Sequence, residues 1–157
     1  MKTAAQCLGA AVRLEIAAQD LYTELSGNFF HEPYLRELFR RLADEEGQHA
    51  LRIRMLSRHQ GNAPWTPEVL ERAVTSLNSA EAALAGLKKE LSVPAARLNG
   101  VMVLRRVGEV ETQFNAIHAE DLAKSLDPTV QQLFKSLAEQ DIKHRDLIQA
   151  AMTRAVA

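Results

Sequence analysis

Cysteine is almost missing from this chain: Cys7 stands alone among 157 residues. One thiol excludes an internal disulfide framework and every Cys-x-x-Cys metal or redox motif, and a reducing, cytoplasmic setting is the simplest reading. Aromatics are only 5% of residues, with 7 glycines and 5 prolines, while alanine and leucine abound. That poverty of turn formers and strand-favouring rings argues against a β-sandwich and for an all-helical domain. No excess of one charge sign exists either: the net charge is −1 with both signs interspersed, so no nucleic-acid footprint or charged tail is present. No apolar run approaches the ~18 residues needed to span a bilayer. Lys2 and the small apolar residues after it faintly imitate a signal peptide, but Arg13, Glu15 and Asp20 follow at once on a continuing helical pattern. The expectation is one domain over residues 1–157, neither exported nor embedded in a membrane.

What is present is period-3.6 patterning in four long segments. The first runs from about Thr3 to Leu25 with Leu8, Val12, Glu15, Ala18, Tyr22 and Leu25 on one stripe, and Gly27 is its expected stop. Pro33 opens the second, whose inward face carries Leu35, Leu38, Phe39, Leu42, Glu46, His49, Ile53 and Leu56, with an end near Gln60–Pro64. The third is expected from about Pro94 to Ser125, with Val101, Leu104, Val107, Glu111, Phe114, His118 and Leu122 along its stripe. Asp127-Pro128 begins the fourth, which turns Val130, Leu133, Phe134, Leu137, Asp141, His144 and Ile148 inward. Between the second and third, Gly61 to Val93 reads as a crossover with two short helices, about Pro67–Ser76 and Ala80–Leu91.

The chain repeats itself. Residues 33–53 aligned on 128–148 share seven identities: Pro33/Pro128, Leu38/Leu133, Phe39/Phe134, Leu42/Leu137, Ala43/Ala138, His49/His144 and Ile53/Ile148. Glu46 and Asp141 each stand three residues before a histidine of that set. The first and third helices match more weakly at an offset of 96, including Glu15/Glu111. Helical periodicity explains matched leucines, not matched histidines and prolines. Two hairpins related by pseudo-symmetry account for both.

Six residues interrupt the apolar stripes: Glu15, Glu46, His49, Glu111, Asp141 and His144. On a helix, a carboxylate three residues before an imidazole shares its face, so both can ligate one ion or one ion each of a close pair. Four buried carboxylates without partners would cost several kcal/mol apiece, against a domain stability of about 5–15 kcal/mol. No lysine or arginine interrupts the stripes, which points to metal cations. Four negative charges balance two divalent ions, and mixed carboxylate–imidazole ligation suits iron, manganese or zinc. Taken singly, each residue has a plainer reading as a salt-bridged core residue; six on four helices in a repeat favour the metal pair.

Tyr22 and His118 each stand seven residues after Glu15 and Glu111. Tyr22 is a candidate catalytic residue, able to hydrogen-bond a ligand or join an electron path, or else to pack the core. His118 reads as a core or rim residue rather than a third histidine ligand. Glu45 and Glu109 should face sideways into solvent or salt bridges, His31 and His59 should be exposed near helix ends, and Cys7 and Trp65 should pack.

Glu15, Glu46-x-x-His49, Glu111 and Asp141-x-x-His144, in that order on four helices, resemble the ferritin-like di-iron carboxylate proteins, most closely the rubrerythrin-like branch. The resemblance covers almost the whole chain. It implies a four-helix bundle of two hairpins, with the six residues as metal ligands, Glu46 and Asp141 bridging and His49 and His144 terminal. It further implies two metal ions, iron first, that react with hydrogen peroxide or dioxygen or oxidise Fe(II). A separate electron-donor protein is implied for turnover, and a homodimer is the expected assembly. Three departures accompany it: Asp141 is one methylene shorter than the usual glutamate, Phe114 occupies the place of a further glutamate, and no rubredoxin-like Cys-x-x-Cys pairs occur. Each departure bears on turnover. A metal-binding or iron-handling bundle without turnover, or a metal-free interaction module, are the alternatives.

Overall fold

The structure, a computed structural model, describes residues 2–58 and 64–156. Five α-helices make up almost all of it: α1 (Ala4–Asn28), α2 (Pro33–Ser57), α3 (Pro67–Glu90), α4 (Gly100–Ala116) and α5 (Pro128–Val156). A single 3₁₀ turn, Ala95–Arg97, precedes α4, and a π-helical segment, Ile117–Leu122, continues it. Helices α1 and α2 pack as one hairpin and α4 and α5 as the other, with α2 and α5 in contact between them. This is the all-α, ferritin-like bundle expected, joined by the long crossover.

Local chemistry fixes most helix starts. Thr3 and Gln6 form a reciprocal capping box on α1, with Thr3 Oγ1 accepting from Gln6 N at 3.1 Å and Gln6 Oε1 from Thr3 N at 2.9 Å. Thr66 caps α3 and Asn99 caps α4 by accepting backbone N–H bonds from Val69 and Met102. Asp127 accepts from Thr129 and Val130 at the head of α5, whereas Glu32 makes no side-chain cap on α2 and leaves that start to Pro33.

Three expected boundaries need correction. The crossover holds one continuous 24-residue helix, α3, in place of two short ones. Ser79 was the expected second start, yet the buried stripe Leu70, Ala73, Leu77, Ala80, Leu84, Leu87 runs through it unbroken, with Asn78 and Ser79 exposed on the far side. Gly27 lies inside α1, which continues to Asn28, and no described glycine takes a positive φ that would stop a helix. The third long helix begins at Gly100 rather than Pro94, because Asn99 supplies the cap. The expected end of the second helix at Gln60–Ala63, and His59, lie outside the described residues.

Helix α3 lies against α1 and the π segment, where Arg72 pairs with Asp121 at 2.8 Å. The chain before α3 is tied down by Trp65 Nε1 donating to Leu122 O at 3.0 Å and by Ser125 Oγ donating to Pro64 O at 2.8 Å. Trp65 and Cys7 are buried as expected, and burial, with Asp121 second, pushes the Cys7 thiol up to about 12. Among the described residues, no helix is long and apolar enough to cross a membrane.

Pseudo-symmetry extends into the packing. Tyr22 packs on Phe39 with ring centroids 6.3 Å apart, and His118 packs on Phe134 at 5.9 Å. The second pair is the first displaced by 96 and 95 residues. These aromatics pack in the core around the polar centre.

Candidate metal centre

All six stripe-interrupting residues are buried: Glu15, Glu46, Glu111, Asp141 and His144 are inaccessible, and His49 is nearly so. Each helix of the two hairpins delivers its share, Glu15 from α1, Glu46 and His49 from α2, Glu111 from α4, Asp141 and His144 from α5. Their donor atoms converge in two sets. One comprises Glu46, Glu111, Asp141 and His144, the other Glu15, Glu46 and His49. Glu46 belongs to both. Asp141, the other residue expected to bridge, belongs to one only.

The contacts are close but are not hydrogen bonds. His144 Nδ1 lies 3.1 Å from Glu46 Oε1 and 3.4 Å from Glu111 Oε2, and His49 Nδ1 lies 3.6 Å from Glu46 Oε2 and 3.8 Å from Glu15 Oε2. Both oxygens of Glu15 and of Glu46, Glu111 Oε2, Asp141 Oδ1 and the Nδ1 atoms of His49 and His144 are buried without a hydrogen-bond partner. Buried polar atoms are ordinarily satisfied, and unsatisfied ones cost about 1–3 kcal/mol each, more when charged. Eight converging atoms left this way, all oxygen or imidazole nitrogen, form a donor set suited to divalent cations. The residues therefore fit a metal pair.

Charge crowding leaves its mark on acidity. Burial, then the neighbouring Glu15 and Glu111, holds Glu46 well above the usual carboxylate range. Burial also lifts Asp141 to about 6, against the opposing pull of His118. Burial would lower both histidines, but facing carboxylates win: Glu15 and Glu46 raise His49 to about 9, and Glu111 and Glu46 raise His144 to about 11. Burial pushes Glu15 the other way from its partners, and contacts with Glu46, His118 and His49 leave it well below the usual range.

Around these donors stand three residues that orient them. Tyr22 is wholly buried and donates its hydroxyl to Glu111 Oε1 at 2.8 Å, which gives it a ligand-positioning contact across the hairpins. Burial first, and the Glu111 charge next, keep its phenol protonated well past the usual range. Glu45 faces sideways into an inter-helix contact, as expected. It accepts from Arg41 on its own helix and reaches α5, its Oε2 2.5 Å from His144 Nε2. The outer nitrogen of His144 is thus taken and Nδ1 is left facing the carboxylates, as is usual for imidazoles that ligate metals. Glu109 pairs with Arg106 at the surface, and His31 is exposed, both as expected.

His118 is a core residue, as expected, and its ring nitrogens reach carboxylates of the cluster. Its ring is 1% exposed, packed edge-on to Phe114 and flat on Phe134. Nδ1 lies 2.6 Å from Asp141 Oδ2 and Nε2 lies 3.0 Å from Glu15 Oε1. Burial depresses its basicity, but Asp141 and Glu15 more than reverse this and raise it well above the ordinary value. It is the mirror of Tyr22: each stands seven residues beyond one outer carboxylate and touches the other. The signal lay in the repeat, since Tyr22 and His118 are separated by the same 96 residues as Glu15 and Glu111.

The Rubrerythrin family profile matches residues 6–152. Comparison with curated proteins and with solved structures returns no match. With nearly its whole length matched, the helical bundle in place and the carboxylate–histidine cluster at its centre, this chain belongs to the rubrerythrin family.

Proposed function

We propose that this protein is a rubrerythrin-like di-metal carboxylate protein, with iron as its physiological metal. It reduces hydrogen peroxide or dioxygen, or oxidises Fe(II), in defence against oxidants or in iron handling. The observation that carries the reading is the set of eight buried donor atoms without hydrogen-bond partners. Glu46, Glu111, Asp141 and His144 would hold one ion, and Glu15, Glu46 and His49 the other, with Glu46 common to both. A bound ferrous pair supplies two electrons, which with two protons reduce one hydrogen peroxide to two waters.

The protein's own part is placement and exclusion. Glu45 holds the His144 ring through Nε2, and Tyr22 holds Glu111 through its hydroxyl. Phe39, Phe114 and Phe134, all buried, pack in the core around the donors and help keep bulk water out. The phenol of Tyr22 is a neutral O–H donor touching a member of the cluster, which suits it to hold a proton against that carboxylate. Re-reduction falls to a separate electron-donor protein, since Cys7 cannot build a Cys-x-x-Cys centre. The lone buried thiol suits a cytoplasmic setting.

A second reading has a specific observation behind it. Phe114, three residues after Glu111, is apolar and buried, so no further carboxylate from that turn can exchange onto the metals. A store or sensor without turnover fits that feature. Anaerobic loading with Fe(II), then peroxide with an external reductant, decides between them. Many peroxides consumed per chain support the enzyme; one stoichiometric oxidation supports the binder; no stoichiometric metal defeats both.

A further inference from the structure

We infer that His118 is a third histidine ligand, completing through Nε2 the metal position formed by Glu15, Glu46 and His49. The inference rests on the di-metal reading and adds to it a residue that the six-residue pattern does not contain.

The two donor sets are unequal. The first has four residues and the second three, one fewer than a closed four-ligand site. His118 sits against Glu15 at the edge of that shorter set. Its Nδ1 lies 2.6 Å from Asp141 Oδ2, which suits the ring to keep a proton on that side and to meet a cation through Nε2. Nε2 then lies 3.0 Å from Glu15 Oε1, yet both Glu15 oxygens count as unpartnered, because the pair is not aligned for a hydrogen bond. Two donors bound to one ion at about 2.1 Å and at right angles lie about 3 Å apart, with lone pairs aimed at the ion and not at each other. The separation and the misalignment both suit a shared cation.

His144 supplies an internal comparison. There a carboxylate, Glu45, takes the outer nitrogen at 2.5 Å, and the other nitrogen lies 3.1 Å from Glu46 without a hydrogen bond. His118 repeats this arrangement with Asp141 in place of Glu45. A ligating imidazole characteristically donates its second N–H to a carboxylate. Asp141 thereby has two tasks: Oδ1, unpartnered, faces the Glu46/Glu111/His144 set, while Oδ2 orients His118. Its engagement by His118 accounts for Asp141 joining only one donor set, where bridging had been expected.

The site's local backbone is also unusual. Ala123 N–H bonds to His118 O at 2.8 Å, an i→i−5 step that closes the π-helical segment Ile117–Leu122 in which His118 lies. Such widened turns frequently accompany functional positions.

The test uses the full wild-type chain with ¹⁵N-labelled histidine, titrated with Zn(II) and followed by NMR of the ring nitrogens. The H118Q spectrum assigns the His118 signals, and backbone-directed assignment serves if that variant does not fold. Two Zn(II) per chain should bind, moving one nitrogen each of His49, His118 and His144 to the metal-bound range, Nε2 in the case of His118. H118Q should weaken one of the two equivalents by at least tenfold and leave the other. Affinity loss alone would also follow from a positioning role, so the nitrogen shift is the deciding reading. Two Zn(II) bound with both His118 nitrogens unmoved overturns this inference and leaves the di-metal reading intact. No bound Zn(II) brings down that reading and the inference together.

Discussion

The hairpin α1/α2 and the hairpin α4/α5 share a scaffold and differ in their chemistry. Phe39 and Phe134, His49 and His144, Glu15 and Glu111 occupy matched places, and matched prolines open α2 and α5. Three differences at polar positions in or beside the centre bear on the site. Glu46 faces Asp141 as its counterpart, Tyr22 faces His118, and Glu45 faces Gln140. One donor set holds three carboxylates and one imidazole, and the other two carboxylates and one imidazole. A repeated fold can hold a metal pair in place while the two ions see different surroundings.

Glu46 is where the halves meet, so changing it should have the largest effect. Glu46→Gln keeps the volume and removes the one carboxylate present in both donor sets. Fe(II) or Zn(II) binding should fall by more than about a hundredfold at both positions, since the neutral amide is a poor bridge. Because burial and neighbouring charge already disfavour the Glu46 carboxylate, the metal-free variant should melt no lower than the metal-free parent. Loss at only one position, measured by calorimetric titration, would show that the two sets do not share Glu46.

The outer support of His144 should matter next. Glu45→Gln gives α2 the residue type found at the equivalent position of α5, Gln140, and erases a difference between the two histidines. Removing such an outer carboxylate typically costs about 10–100-fold in metal affinity. The loss should fall on one equivalent of metal, and uniform weakening of both would contradict the assigned pairing.

Acidity offers a third contrast, between metal-free and loaded protein. His49 and His144 are raised in the fold from an ordinary 6.5 to about 9 and about 11. Between pH 6.5 and 9 the metal-free native state therefore binds more protons than the unfolded chain, and stability declines as pH rises. The contribution is complete below pH 6.5 and is lost through about 9 for His49 and about 11 for His144. Thermal melts of chelator-treated protein should show this downward slope. The doubly substituted His49→Leu, His144→Leu protein should show a shallower slope, since His118 is raised as well. A rising slope in the parent would mean that the imidazoles are neutral in the metal-free fold.

Tyr22→Phe should do least. It removes one hydrogen bond to Glu111, worth roughly 1–3 kcal/mol when the acceptor is charged. A lowered melting temperature with metal stoichiometry unchanged is the expected outcome. Loss of a metal equivalent would make Tyr22 more than a positioning residue.

Much of this was legible because charge on an apolar stripe is conspicuous. Glu15, Glu46, His49, Glu111, Asp141 and His144 each broke a period-3.6 pattern, and the structure brings all six together. His118 stood on the same stripe, yet two helical turns from Glu111 looked too far from any site. Glu15 from α1 and Asp141 from α5 bring carboxylates to its level, and pairing between helices is not written in local periodicity. For Glu45 an inter-helix pairing was legible but its partner was not: it sits beside the inward face, and His144 is 99 residues away. The crossover was misdivided because Ser79 offers a plausible cap, whereas burial against α1 and the π segment favours one long helix.

The central claim is a pair of metal ions at the bundle centre, and anaerobic Fe(II) titration of chelator-stripped protein tests it most directly. The account predicts two Fe(II) bound per chain, in surroundings distinguishable by Mössbauer spectroscopy as two ferrous signals of equal area. Binding of fewer than one Fe(II) per chain at micromolar concentrations would contradict it.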